Sequence, residues 1–308
     1  MNFLNGIIFF ATNVLMQYFW IRLQKRIKLT QAQKSYGINI DNEIKSATPS
    51  MGGVIFLISG IFAMIYNGFD LGILDSVLFW SLPLLSGIIG FVDDWLKFSS
   101  HTSEGFRSID KLKIQLVICA LWVIAVFFNG NFARERFLAE ILAIPVAFLI
   151  SAGMLNAVNI TDGLDGLAAG SFLISLGAAL IFVEPNEANL RILSELFFMA
   201  AAFLFFNLRP AKTFMGDTGA HFLGGALTAI CVINGRTLAL IPVGFIFIIE
   251  MFSSGIQIFT IRKLNRKIFL MAPLHHHFQK LGLDETKVTL NFWLAHAVGA
   301  VLLTLLFV

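Results

Sequence analysis

Five short stretches hold most of the side chains in this chain that could do chemistry. The first is Phe91-Val92-Asp93-Asp94-Trp95-Leu96-Lys97. Two carboxylates close an apolar run, and a lysine follows three and four residues later, on their face of a helix. Such carboxylates are costly unless solvated, paired or metal-bound; a solvated helix end with an ordinary ion pair has the same pattern. Lys111 and Lys113 start a further run, where they either contact phosphate or anchor a helix end. Asn156-Ala157-Val158-Asn159-Ile160-Thr161-Asp162-Gly163-Leu164-Asp165-Gly166 carries amides, carboxylates and glycines without one basic residue. Hard oxygen donors at this density suit Mg²⁺, which keeps positions open for water and phosphate, although a capped turn draws on the same residues. Asn207-Leu208-Arg209-Pro210-Ala211-Lys212-Thr213-Phe214-Met215-Gly216-Asp217-Thr218-Gly219 places Asp217 just before another run. There it can cap a helix, bind a metal, or both, while Arg209 and Lys212 hold anions or face water. The last stretch is Pro273-Leu274-His275-His276-His277-Phe278. Three adjacent histidines cannot all meet one metal from a regular helix. Their rings can donate hydrogen bonds to phosphate, and the absence of a cysteine or histidine partner at ligand spacing argues against zinc.

Together, five carboxylates in three loops, lysines and a histidine cluster fit metal-assisted phosphoryl transfer between a soluble anionic donor and a lipid acceptor. A divalent ion would bridge the phosphates and neutralise developing charge.

The elements that must position these groups are membrane spans. The chain has 308 residues, 57% hydrophobic and 13% charged, against about 25% charged in soluble domains. Ten apolar runs recur, near 3–21, 51–67, 74–92, 114–130, 137–156, 167–183, 191–207, 219–234, 237–261 and 288–307. Their length is close to the roughly 17–25 residues that cross a bilayer. The first run lacks a basic leader and is followed by Arg22, Lys25, Arg26 and Lys28, so it reads as a retained span. Eighteen of the 22 Lys and Arg residues fall in alternate loops; only Arg134, Arg136, Arg191 and Arg236 fall in the others. The positive-inside rule puts both termini outside and five loops in the cytoplasm. All five chemical stretches lie at the same side. The expectation is an all-α polytopic protein of about ten helices, one domain over residues 1–308, with a cytoplasmic cleft. Cys119 and Cys231 sit within runs and read as packing residues. His221 and His296 read as core residues. Glu250, in mid-span, is a functional candidate or a structural hydrogen-bond partner.

At these residues the chain resembles the phospho-N-acetylmuramoyl-pentapeptide transferases, bacterial enzymes that open the lipid cycle of peptidoglycan synthesis. The resemblance covers nearly the whole chain. It rests on Thr48-Pro49-Ser50-Met51-Gly52-Gly53, Asp93-Asp94-x-x-Lys97, Asn159-x-x-Asp162-Gly163-x-Asp165-Gly166, Phe214-Met215-Gly216-Asp217 and Pro273-Leu274-His275-His276-His277-Phe278. The middle motifs are shared with the wider polyprenyl-phosphate sugar-1-phosphate transferase superfamily; the histidine element favours the muramoyl-pentapeptide branch. Two positions depart from the family pattern: Ser50 for the commoner Thr, and His221 for an apolar residue.

The resemblance implies ten transmembrane helices, a homodimer, Mg²⁺, and a bacterial inner-membrane location. The implied reaction joins UDP-N-acetylmuramoyl-pentapeptide to undecaprenyl phosphate and releases UMP; no nucleic acid is expected as a partner. It implies Asp217 as the metal ligand and Asp93 and Asp94 beside the reacting phosphates. Lys97 and Lys111 would hold the diphosphate. Asn159, Asp162, Gly163, Leu164, Asp165 and Asn207 would line the nucleotide site, with Phe214 on the uracil. His275, His276 and His277 would serve the donor, and Lys45 the nucleoside pocket. The nearest alternative is a sister transferase of N-acetylglucosamine phosphate. A transporter would place its polar groups near the bilayer midplane, on broken helices, and a structural scaffold leaves the acidic third stretch unexplained.

Overall fold

The computed structural model describes residues 3–27, 29, 48–100 and 105–307, and no β-strand occurs among them. Every apolar run becomes a helix: α1 Phe3–Arg26, α2 Val54–Leu71, α3 Ile73–Ser100, α4 Ser108–Phe128, α5 Glu140–Thr161, α6 Leu167–Phe182, α7 Glu187–Asn207, α8 Gly216–Ile233, α9 Phe245–Leu264 and α11 Glu285–Phe307. A short α10, Leu274–Lys280, precedes the last. Among the described residues, eight helices are long and apolar enough to cross a membrane; Val54–Asp70 and Leu167–Phe182 are shorter apolar helices.

Two details differ from the sequence expectation. The run 237–261 is not one span. It opens with a 3₁₀ turn, Thr237–Ala239, and a single helical turn, Leu240–Val243, before α9 begins beyond Gly244. Pro242 brings no N–H to the helix, and Gly244 leaves helical dihedrals at φ −100° and ψ 18°. The stretch after Phe91 is not a loop either: α3 runs on to Ser100, so Asp93, Asp94 and Lys97 share one helical face.

Successive long helices run in opposite directions. The C-terminal part of α1 reaches the polar end of the bundle, where Trp20 Nε1 donates to the Met51 carbonyl at 2.9 Å and Gln24 bonds the Ser50 carbonyl. The N-terminus of α11 is at the same end, through Glu285 and the Asp165 amide. Phe3 and Phe307 therefore lie at the opposite end.

Helix α8 is the axis of the bundle. It is buried from Gly216 to Val232 apart from Asp217, with α3 along one side and α5 along another. Its small residues, among them Gly219, Ala220, Gly224 and Gly225, permit close helix packing where the hydrophobic effect gives no drive between helices. The closest approach is at Gly90 of α3, whose missing Cβ would overlap the Asp217 carbonyl. We expect Gly90→Ala to destabilise the protein by about 1–3 kcal/mol, the usual cost of overpacking. An unchanged thermal unfolding midpoint would mean that α3 and α8 separate without cost.

Candidate active site

Three carboxylates converge where α3 ends and α8 begins. One oxygen from each of Asp93, Asp94 and Asp217 lies within 4.8 Å of the others. Helix α3 presents its pair one turn before Lys97, and α8 opens with Asp217 in its first turn.

Asp94 joins the two helices. Its Oδ1 accepts from the Asp217 amide at 3.1 Å, and its Oδ2 accepts from the Thr218 amide at 2.9 Å and the Thr218 hydroxyl at 2.7 Å. These donors belong to the first turn of α8, where backbone N–H groups have no partner within the helix. Asp94 thus caps α8 from a neighbouring helix, and the positive end of the helix dipole favours the carboxylate. Asp93 Oδ1 accepts from the Phe106 amide at 2.7 Å, which ties the start of the next segment to the same place.

The lysines are shared among the acids. Lys97 Nζ lies 2.6 Å from Asp93 Oδ2, 3.0 Å from Asp217 Oδ2 and 3.9 Å from Asp94 Oδ1. Lys111 Nζ contacts Asp217 directly and lies 3.6 Å from Asp93 Oδ2. Asn159 Nδ2 donates to the other Asp217 oxygen at 2.8 Å. Three carboxylates against two ammoniums leave a net negative charge. Hard oxygens with spare lone pairs around that charge suit a divalent cation, and the ammoniums remain beside it for anionic phosphate.

The acidic loop between α5 and α6 adjoins this cluster. Asp162 follows the last residue of α5, and its half-buried carboxyl is pushed up to about 8, first by removal from water and then by the charges of Asp217, Asp94 and Asp165. Asn207 and Asp165 brace the loop. Asn207 accepts from the Gly166 amide at 3.0 Å and donates to the Thr213 carbonyl at 2.9 Å; Asp165 Oδ2 accepts from the Ala211 amide at 3.1 Å. Leu164 is buried beneath, while Gly163 is exposed. Phe214 is half-buried, and its amide donates to the Pro49 carbonyl at 2.8 Å.

The three histidines go to three places. His275 is fully buried on Glu250 of α9: its amide donates to Oε1 at 3.1 Å and its Nδ1 lies 3.0 Å from Oε2. Its Nε2 has no hydrogen-bond partner among the described residues and sits against Gly163, where a Cβ would collide with it. His275 therefore touches the acidic loop from below. His276 turns to Gln279, and His277 Nδ1 to the Leu270 amide. Glu250 is fully buried in this contact.

Residues 76–235 match the glycosyl transferase family 4, a region holding all three acidic stretches but ending before the histidines. A protein from Halalkalibacterium halodurans named phospho-N-acetylmuramoyl-pentapeptide-transferase is 35% identical over 96% of this chain and 94% of its own length. One of the same name from Dictyoglomus turgidum is 36% identical over the same shares. Another, from Lactobacillus delbrueckii subsp. bulgaricus, is 38% identical over 84% of each chain. The chain belongs to the phospho-N-acetylmuramoyl-pentapeptide-transferase family.

In this family member the site also rests on Glu285, Arg209 and the Thr48–Gly53 stretch, of which only Glu285 drew no reading from the sequence. Glu285 accepts from the Asp165 amide at 2.9 Å and pairs with Arg209; Arg209 thus serves the loop. The Thr48–Gly53 stretch supports Asp217: the Gly52 amide donates to the Phe214 carbonyl at 2.8 Å and the Gly53 amide to the Met215 carbonyl at 2.9 Å. Its glycines before an apolar run were the visible signal. Lys113 stays outside the cluster, exposed and 3.6 Å from Asp110. Lys45 lies outside the described residues. His221 is buried one turn below Asp217.

Two outcomes follow from this geometry. The Asp162 carboxyl titrates near 3.8 as an ordinary side chain and near 8 in the fold. Between those values the unfolded chain has lost a proton that the folded chain keeps, so this group makes stability fall as pH rises from about 4 to about 8. Asp162→Asn should flatten that part of the profile of unfolding midpoint against pH in EDTA; an unchanged slope would place the titration elsewhere. Glu250→Gln leaves only one acceptor for two His275 donors. It should cost about 1.5–3 kcal/mol of stability, the range for a hydrogen bond to a charged group; no loss in denaturation would make the contact incidental.

Proposed function

We propose that this protein transfers phospho-N-acetylmuramoyl-pentapeptide from its UDP-linked donor to undecaprenyl phosphate, giving lipid I and UMP. The observation that carries this reading is the cluster of Asp93, Asp94 and Asp217 with Lys97 and Lys111 at one end of an apolar helical bundle, in a chain about 35% identical to transferases of that name. A polar site at the rim of a bundle can meet both a water-soluble nucleotide and an acceptor phosphate held at the membrane surface. The excess of Lys and Arg in the loops at that end supports a cytoplasmic cleft, with both termini outside, in a bacterial inner membrane. We take the protein to be a homodimer, as the family resemblance implies.

Asp217, Asp93 and Asp94 would hold Mg²⁺, which supplies charge neutralisation across the donor diphosphate when bound. Lys97 and Lys111, already between the carboxylates, exchange part of that pairing for donor phosphate oxygens. An oxygen of the lipid phosphate attacks the donor β-phosphorus; the bond from that phosphorus to the bridging oxygen breaks, and UMP leaves. A phosphate monoester has its second pKa near 6, so the acceptor is mostly dianionic at neutral pH. Asp93 then has only to position it and take a residual proton. Asn159 and Asp162 form the adjoining wall, with the Phe214 ring available to the uracil.

The test is UMP release by the purified protein with Mg²⁺ and undecaprenyl phosphate, the muramoyl-pentapeptide donor set against UDP-N-acetylglucosamine. We expect release with the muramoyl donor alone, and a fall of roughly a hundredfold or more in Asp217→Asn, as expected when a major electrostatic contributor is removed. Release with N-acetylglucosamine alone would assign the sister reaction. A phospho-sugar adduct on the protein, formed without lipid, would replace direct attack by a two-step route.

A further inference from the structure

The end of α9 stands away from the bundle. Between Ser254 and Leu264 only Gln257 and Thr260 are buried, and both bond the chain's own return. Asn265 takes a left-handed backbone, φ 48°, which Asn tolerates better than most residues, and the chain doubles back along the helix. Gln257 Oε1 accepts from the Ile268 amide at 3.1 Å and the Phe269 amide at 3.0 Å, while its Nε2 donates to the Phe269 carbonyl at 2.9 Å. The Thr260 carbonyl accepts from the Arg266 amide at 3.2 Å, and the Leu270 amide reaches His277 Nδ1 at 3.1 Å. Residues 254–270 thus form a braced arm.

Cations and apolar groups share the surface of this arm. Arg262, Lys263, Arg266 and Lys267 are all exposed. No Asp or Glu occurs between Glu250 and Asp284, and among the described residues no carboxylate pairs with any of the four. Lys97 and Lys111, by contrast, are spent on Asp93 and Asp217. Interleaved with the four cations are Ile258, Phe259, Ile261, Leu264, Ile268 and Leu270, each at least 41% exposed. Insertion bias accounts for cations in a loop on one side of a membrane. It does not require apolar side chains to be held among them.

We propose that the arm docks on the bilayer surface, its four cations on the head groups of anionic phospholipids and its apolar side chains among the first acyl carbons. Lys and Arg reach toward phosphate while their stems lie along apolar surface. A basic patch beside an anionic leaflet gains with each cation, and apolar burial in the head-group boundary adds to the attraction. A soluble polyanion would satisfy the cations and leave the apolar side chains in water; a bilayer surface satisfies both. Position agrees with this occupant. Helix α9 is long and apolar enough to cross a membrane, and the arm is its end on the side of the Asp217 cluster, where head groups begin. The four cations take no part in the transfer site.

The test uses the full-length protein in phosphatidylcholine nanodiscs with a trace of phospholipid carrying a photoreactive diazirine at the start of one acyl chain, the head being either glycerol, which leaves the lipid anionic, or choline. Labelled residues are mapped by peptide mass spectrometry, and labelling of Val117 and Leu121, exposed on α4, serves as the reference. The anionic probe should label residues 258–270 at least about tenfold more than the choline probe, given the attraction of each cation to an anionic surface. High salt should shrink that excess. Combining Arg262→Gln, Lys263→Gln, Arg266→Gln and Lys267→Gln should bring the two probes level, whereas Arg262→Lys with Arg266→Lys should keep the excess. Both variants should keep a single gel-filtration peak and wild-type UMP release in detergent; if the fourfold variant does not fold, the head-group comparison and the salt dependence decide. Equal labelling of the wild-type arm by both probes, or an excess that survives in a folded fourfold variant, would mean that the cations do not select anionic heads. An unlabelled arm beside a labelled α4 would mean that protein covers it. A raised KM for the nucleotide donor in the fourfold variant would assign the cations to the soluble substrate. Each of these results overturns the proposal.

Discussion

The start of α8 carries backbone amides that its own helix cannot satisfy, and it is buried among other helices. Asp94 of α3 meets that demand, taking the Asp217 and Thr218 amides on its two oxygens. The contact requires the α3 backbone to approach closely, which Gly90 permits. Once the two helices are so joined, Asp93 and Asp217 are neighbours, and Lys97, one turn along α3, lies between them. Lys111 is drawn in from α4 by the same negative charge. The bond that satisfies a helix end is therefore also the bond that assembles the charged cluster. A carboxylate that caps one helix from another still keeps lone pairs for a cation, so structure and chemistry need not compete at Asp94.

The loops around the cluster obey a second constraint. Irregular backbone at membrane depth is tolerated only where its polar groups are satisfied within the protein or face a water-filled cavity. Polar residues in the motifs divide accordingly. Asp165, Asn207 and Glu285 spend their oxygens on the amides of Ala211, Gly166 and Asp165. The Thr48–Gly53 stretch bonds the segment before Asp217 through the Gly52 and Gly53 amides and the Pro49 carbonyl. Asn159, Asp162 and the shared lysines carry side chains toward the cluster itself. Rigid loops hold such groups in place better than loops whose backbone bonds are open to water.

The histidine element joins a third layer to the site. Glu250 takes both donors of His275 and directs the remaining ring nitrogen at Gly163, next to Asp162. Leu274 is held in turn by Ser253 of α9, whose hydroxyl accepts its amide at 3.2 Å. Helix α9, remote in sequence from the acidic motifs, thus has a direct mechanical link to the acidic loop.

Much of this protein was legible in the chain. Ten apolar runs determine ten apolar helices, because nonpolar length and internal backbone bonding leave few alternatives in hydrocarbon. Alternation of charge between loops put Asp93, Asp94, Lys97, Asp162, Asp217 and the histidines at one end. Spacing alone put Lys97 on the carboxylate face of a helix. What tertiary structure decided was which polar groups meet. Sequence distance does not indicate that Lys111 pairs with Asp217, that Arg209 serves Glu285, or that Lys113 stays outside. Nor does it show that Glu250 is spent on His275, or that Pro242 and Gly244 interrupt the ninth run. Hydrophobic length is a one-dimensional property that each segment carries by itself. Pairing of charges and orphan amides depends on which helices come within hydrogen-bond distance, and only the packed bundle determines that.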